Sequence, residues 1–178
     1  MNKVKKNVMA IMTPLSDSMV RSCLGPNTKI IKFSELKQYN NMSDIIPNVN
    51  DFFICLLEEE MNSGHWTCCL KLKDGYYYFN SYGKKYDADI SVIPMCIRRI
   101  LFEDKREFNR LLDGEKCDYN KVKYQGDKSQ VCGRYCVLAI TMMCLMGYSP
   151  EDFGQFLVDK KKELGGSYDE LVAKCVNI

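Results

Sequence analysis

A chain of 178 residues fits one domain, 1–178, with a single buried core. Its 46% hydrophobic and 27% charged residues are ordinary for a globular protein. A formal charge of +2 argues against a large nucleic-acid footprint, although local basic clusters stay open.

Residues 1–13 read as a loose or edge segment, with Lys3, Lys5 and Lys6 as a solvated face. The apolar run Val8 to Met12 is too short for a secretory signal core, and no later stretch reaches membrane-spanning length. Without an export signal, the ten cysteines read as reduced, mostly buried thiols in a cytosolic or nuclear protein. Leu15 to Leu24 predicts a short helix, capped by Ser16 or Asp17 and stopped by Gly25-Pro26. Lys29 to Phe33 alternates weakly, Ser34-Glu35-Leu36 opens another short element, and Asn40 to Asn50 is loop-like.

The clearest strands follow. Phe52 to Leu57 is a continuous apolar run of buried-strand length. Trp66 to Leu72 alternates, Asp74-Gly75 is a turn signal, and Tyr76 to Phe79 is aromatic, so 66–80 predicts a β-hairpin. Ile90 to Leu112 carries apolar residues at helical spacing with Pro94 in its first turn, and Lys121 to Gln125 predicts one more strand. From Tyr124 the chain is polar, then turns apolar without Gly or Pro from Arg134 to Met146, the pattern of a loop feeding a buried helix. Ser149-Pro150-Glu151-Asp152 opens a helix through about Leu164, and Ser167 with Glu170 forms a capping box for a last one. The fold class is α+β, with a small central mixed or antiparallel sheet.

Cys132 stands at the loop-to-helix junction with Gly133 behind it. A thiol there feels the positive end of the helix dipole, which favours the thiolate. His65 is the only histidine, followed by the only tryptophan, Trp66. A cysteine hydrolase needs a thiolate, an imidazole base, a group that orients the imidazole, and oxyanion donors. Cys132 and His65 can supply the first two. Asn80 is the candidate orienter: if Leu72 pairs with Gly75, it falls diagonal to His65 on the same face, whereas an odd-numbered loop places them on opposite faces. Gln125 is the candidate oxyanion donor, with Gln130 as the alternative.

The set Gly64-His65-Trp66, Tyr78-Phe79-Asn80-Ser81-Tyr82-Gly83 and Gln125-x6-Cys132-Gly133 resembles the adenovirus-type maturation cysteine proteases. These are related to the ubiquitin-like-protein-specific proteases and papain-like in geometry. The likeness is nearest to the small proteases of virophages and Polinton/Maverick elements, which share a segment like Leu15-Ser16-Asp17. It spans about residues 51–146, and its specificity lies in the set rather than in any one piece. The resemblance implies that Cys132 is the nucleophile, His65 the general base, Gln125 the oxyanion donor, and Trp66 a wall of the substrate cleft beside Gly133. Asn80 stands where the family has Asp or Glu. An amide can hold the imidazole in one tautomer but adds no negative charge, so Asp87 or Asp89 could serve instead. The implied function is cleavage of viral capsid precursors after small residues, Gly-X or Gly-Gly, during virion maturation. The implied enzyme is a monomer with no membrane partner, in the virion and in the host cytoplasm or viral factory. The resemblance implies no cofactor for the chemistry, but an activating viral peptide or DNA. The alternative is a deconjugating protease for a ubiquitin-like modifier.

Blander readings compete with each feature. Cys132 alone would read as a core thiol, and His65 alone as a turn histidine; their combination with Gln125 and Trp66 favours chemistry. Zinc held by Cys68, Cys69, Cys132, Cys136 and His65 is disfavoured, because adjacent strand cysteines point to opposite faces and no Cys-x2-Cys pair exists. Lys160-Lys161-Lys162 reads as a solvated face. Leu164-Gly165-Gly166-Ser167 resembles a double-Gly cleavage site but reads better as a helix stop followed by a cap.

Overall fold

The apolar run at residues 52–57 becomes the second strand of a five-stranded mixed sheet. The structure, a computed structural model, describes residues 9–103 and 105–177. Lys3, Lys5 and Lys6 lie outside the described residues, whereas 9–12 are helical rather than loose. The strands are β1 (Ile30–Lys32), β2 (Phe52–Glu60), β3 (Ser63–Leu72), β4 (Gly75–Phe79) and β5 (Cys117–Tyr119), ordered in space as in sequence. The middle three are antiparallel neighbours, while β1 runs parallel to β2 and β5 parallel to β4. The class is α+β.

Burial on both faces explains the unbroken apolar reading of β2. Ile54 and Leu56 pack on one side with Trp66, Cys68, Leu70, Tyr77 and Phe79. Phe53, Cys55 and Leu57 pack on the other with Cys69, Tyr76 and Tyr78. The first face is covered by α4 (Cys132–Ile140), with α5 (Pro150–Leu164) and α6 (Tyr168–Cys175) adding Phe153, Leu157, Leu171 and Val172. The second is covered by a 3-10 turn (Phe33–Gln38), Ile90, and Phe108 and Leu111 of α3 (Glu107–Leu111). Each fully buried Leu or Phe contributes about 1.5–3 kcal/mol before conformational entropy is counted.

Helix caps follow the residue chemistry. Ser16 accepts from the Met19 N–H to open α1 (Asp17–Leu24), and Gly25 closes it with φ 108°. Ser149 and Ser167 each form a capping box, and Gly165 ends α5 with φ 65°. The double glycine thus serves as a helix stop.

Three expected elements come out differently. The helix expected over 90–112 is divided into a 3-10 turn (Asp89–Val92), α2 (Met95–Ile100) and α3. Phe102 turns left-handed at φ 59°, Glu103 reaches across to the Glu58 N–H, and Asp87 accepts the N–H groups of Phe108 and Asn109 to restart the helix. These long-range partners override the local periodicity. Lys121 to Gln125 is not a strand; the Tyr124 and Gln125 N–H groups both go to the Ser81 carbonyl, and Cys117–Tyr119 takes the sheet edge instead. The helix expected to reach Met146 is α-helical only to Ile140, then widens to a π-turn over Thr141–Leu145.

Candidate active site

The site forms where the start of β3 and the end of β4 meet the start of α4. Leu72 pairs with Gly75 and Cys68 with Phe79, so His65 and Asn80 share strand parity with Thr67 and Tyr78. The His65 Nε2 lies 2.9 Å from the Asn80 Oδ1. Tyr82 stacks on the imidazole, with ring centroids 4.7 Å apart. Both partners are buried, His65 at 5% exposure and Asn80 at 0%.

Asn80 is held from every side. Its Oδ1 also accepts the Tyr82 N–H at 2.9 Å, and its Nδ2 donates to Asp89 Oδ2 at 2.5 Å. Its backbone N–H donates to Asn120 Oδ1 at 2.8 Å, while Asn120 Nδ2 donates back to the Asn80 carbonyl at 2.6 Å. Asp89 in turn accepts from Lys84 Nζ at 2.7 Å. Asp87 plays no part here; its carboxylate caps α3. Asn120 and Lys84 carry no sequence signal of their own, because their contacts depend on β5 and on the turn after β4.

Cys132 is the first residue of α4, every residue of which is buried. A helix buried on every side, with Arg134 tied to the Val176 carbonyl at 3.0 Å, is fixed by its surroundings, and that fixes the thiol. Gly133 lets two side chains come close: a Cβ there would lie 3.2 Å from Leu15 Cβ and 3.5 Å from Trp66 Cδ1. Leu15 and Trp66 thus flank the start of α4. Beyond Trp66 a groove of about 570 Å³ is lined by Ser16, Asp17, Ile30, Lys32, Leu56 and Asn62.

The N-cap residue Val131 offers no side-chain acceptor, so the first N–H groups of α4 stay available to an anion. The resting thiol nevertheless differs from the expected thiolate. Burial pushes Cys132 up to about 11, aided by Cys136 and opposed by the N–H groups of Trp66, Gly133 and Cys132 itself. Desolvation wins over the dipole. His65 shifts the other way: burial lowers its pKa, against the Asn80 hydrogen bond and the charges of Asp89 and Glu59, with Lys84 lowering it further. At neutral pH these shifts favour a neutral thiol and a neutral imidazole.

Gln125 is buried at 2% exposure. Its Oε1 accepts from Ser81 Oγ at 2.6 Å, and its Nε2 donates to the Ser129 carbonyl at 2.9 Å, with Tyr82 Oη at 3.4 Å. Ser81 and Ser129 therefore fix which end of the amide is the donor. Gln130 is exposed, and its backbone N–H goes to the Ile11 carbonyl.

No family model matches this chain, and no curated protein matches it in sequence.

Among the described residues no group of three or more His, Cys, Asp or Glu is placed to hold a metal ion. Cys68 and Cys136 lie in the core, all the cysteines are free thiols, and adjacent Cys69 belongs to the opposite face of the sheet. Among the described residues no helix is long and apolar enough to cross a membrane.

Proposed function

We propose that the chain is a cysteine endopeptidase with a papain-like site of the adenovirus-protease type. The observation that carries this reading is the 2.9 Å bond from His65 Nε2 to Asn80, which leaves Nδ1 as the proton-accepting position of the ring.

In this reading His65 Nδ1 takes the proton of Cys132, and the thiolate sulfur attacks the scissile carbonyl carbon. The carbonyl oxygen, now an anion, is met by the Cys132 N–H and by the second Gln125 Nε2 hydrogen, which exchanges its long 3.4 Å contact with Tyr82 Oη for the oxyanion. The imidazolium then gives its proton to the leaving amine as the C–N bond breaks. Water, activated by the same imidazole, hydrolyses the thioester and restores the thiol. Separating charge between two buried neutral groups is costly. The uncapped first turn of α4 and the network behind His65 offset part of that cost.

The substrate class rests on the family resemblance and on the crowding at Gly133. Leu15 and Trp66 flank a narrow approach to the thiol, which suits a backbone with small side chains such as Gly-X or Gly-Gly. Viral capsid precursors are the proposed substrates, processed within the virion or viral factory. The test is co-expression with candidate capsid precursors, wild type beside Cys132→Ala, with fragments read by mass spectrometry. Cleavage after Gly that vanishes in the variant supports the proposal. Intact precursors, together with release of a ubiquitin-like modifier from its C-terminal Gly-Gly linkage, would replace it with the deconjugase.

A further inference from the structure

Asn80 poses a specific problem. A side-chain amide presents either its oxygen or its nitrogen to a neighbour, and the two ends are nearly the same size. If the oxygen faces His65, the imidazole must carry its proton on Nε2, and Nδ1 can act as a base. If the nitrogen faces His65, the imidazole must accept at Nε2, and the proton moves to Nδ1, which can then no longer accept from a thiol. The choice of amide end is therefore the choice of a competent base.

Two neighbours make that choice. The Tyr82 N–H donates at 2.9 Å to the end facing His65, which must therefore be the oxygen. The Asp89 carboxylate lies 2.5 Å from the opposite end, which must therefore be the nitrogen. Asp89 is itself 7% exposed, and its second oxygen accepts from Lys84 at 2.7 Å. An ionised carboxylate only accepts, so it enforces the amide orientation in a way no neutral group would. We propose that Asp89 is a positioning residue for His65, acting through Asn80 to fix the Nε2–H tautomer and to place a negative charge behind the imidazolium. The proposal rests on the protease reading for its purpose but not for its test. The charged groups acting on the imidazole are Asp89, Glu59 and Lys84, and of the two acids supporting the protonated ring Asp89 acts more strongly.

The chain's single histidine makes this directly readable. With ¹⁵N-labelled histidine, NMR reports which ring nitrogen carries the proton, without any substrate. Wild type should show the Nε2–H form at neutral pH. In Asp89→Asn the new amide keeps the shape but must offer its oxygen to Lys84, so its nitrogen faces Asn80. Asn80 is then driven to turn over, against the Tyr82 N–H alone. We expect the Nδ1–H fraction to rise by roughly tenfold or more, the scale of losing a hydrogen bond to a charged group. The double variant Asn80→Asp with Asp89→Asn can satisfy every bond again with the direction reversed: the carboxylate now accepts from His65, Tyr82 and the position-89 amide. It should restore the Nε2–H form and raise the imidazole pKa above that of wild type.

An unchanged tautomer in folded Asp89→Asn overturns the proposal, as does a double variant that behaves like the single one. If the tautomer responds as expected while wild type leaves precursors intact and releases a ubiquitin-like modifier, the positioning role stands and the capsid-protease reading falls. Where cleavage is measurable, Asp89→Asn should lower kcat by at least tenfold with KM nearly unchanged, and the double variant should recover most of it.

Discussion

His65 and Asn80 are fifteen residues apart in sequence, yet the imidazole Nε2 and the amide Oδ1 lie 2.9 Å apart in a buried pocket. The hairpin register Leu72 to Gly75 makes this possible, and the reciprocal pair with Asn120 keeps the Asn80 backbone from drifting. Removing either side chain should have unequal effects. In the proposed mechanism His65→Ala deletes the base itself. Asn80→Ala deletes only an orienter and leaves the ring stacked on Tyr82. We expect Asn80→Ala to lower kcat by roughly 10- to 1,000-fold, less than the ~10⁴-fold seen when a triad orienter enforces the wrong tautomer. Steady-state kinetics on a cleaved precursor peptide, with His65→Ala beside it, checks this. Equal losses would make Asn80 a full triad member.

Cys132 makes a separate prediction about pH. With burial holding the thiol up to about 11 and His65 below its usual range, the resting protein holds little thiolate at neutral pH. Alkylation of Cys132 by iodoacetamide, followed by peptide mass mapping, should therefore be slow at pH 6 and climb roughly tenfold per unit toward pH 9. A rate already at its plateau near pH 5 would show a preformed thiolate–imidazolium pair and contradict the neutral resting state.

How much of this was readable beforehand depends on the range of the interactions. Strand β2, the hairpin and the caps of α1, α5 and α6 are local in origin, set by apolar runs, Asp74-Gly75 and the N-cap serines Ser16, Ser149 and Ser167, and they match their sequence signals closely. Cys132, His65, Asn80 and Gln125 were each nameable as candidates from residue type and spacing. What was hidden was competition over distance. Glu103 bonds the Glu58 N–H forty-five positions away and breaks the 90–112 helix, and Asn120 reaches Asn80 across forty. The thiol pKa departs from its local signal for the same reason: the dipole is local, but the desolvation that outweighs it comes from the whole core.

Asn120 should matter beyond its own size. Its amide satisfies both backbone groups of Asn80 and also donates to the Val122 carbonyl at 3.1 Å. Asn120→Ala leaves the buried Asn80 N–H unpaired, while the Asn80 carbonyl keeps the Gly83 N–H at 2.7 Å, and should cost about 1–3 kcal/mol in urea unfolding. Asn120→Asp should not rescue it, because a carboxylate can accept the Asn80 N–H but would face two carbonyl oxygens where the amide donated. Stability of Asn120→Asp equal to wild type would sink this account.

Gly64, next to His65, has no room for a side chain. A Cβ there would lie 2.0 Å from the Leu57 carbonyl oxygen and 2.8 Å from Glu58 Cα, both rigid backbone of the paired strand. Gly64→Ala must therefore part β2 from β3 at the point where His65 is carried. We expect a loss of about 3 kcal/mol or more in thermal or urea unfolding. A folded variant of wild-type stability would mean that this strand end moves freely.

Glu103 supplies the clearest stability switch. Its side chain is fully buried, one oxygen accepts the Glu58 N–H at 3.0 Å, and the other has no partner among the described residues. Burial pushes its pKa up to about 7; the Glu58 charge adds to the rise, while the Glu58 N–H and Lys32 oppose it. In the unfolded chain a Glu titrates near about 4.3. Between those values the folded state holds more protons than the unfolded state, so its contribution to stability is full below the lower value, declines as pH rises toward 7, and is flat above. Glu103→Gln keeps the acceptor for Glu58 and has no proton to lose. The variant should therefore gain on wild type as pH rises from 5 to 8, by roughly 1–2 kcal/mol once screening by nearby solvent is allowed for. Urea midpoints at the two pH values measure this gap. Parallel curves for the two proteins would mean that Glu103 is ionised throughout and held by a cation near its second oxygen.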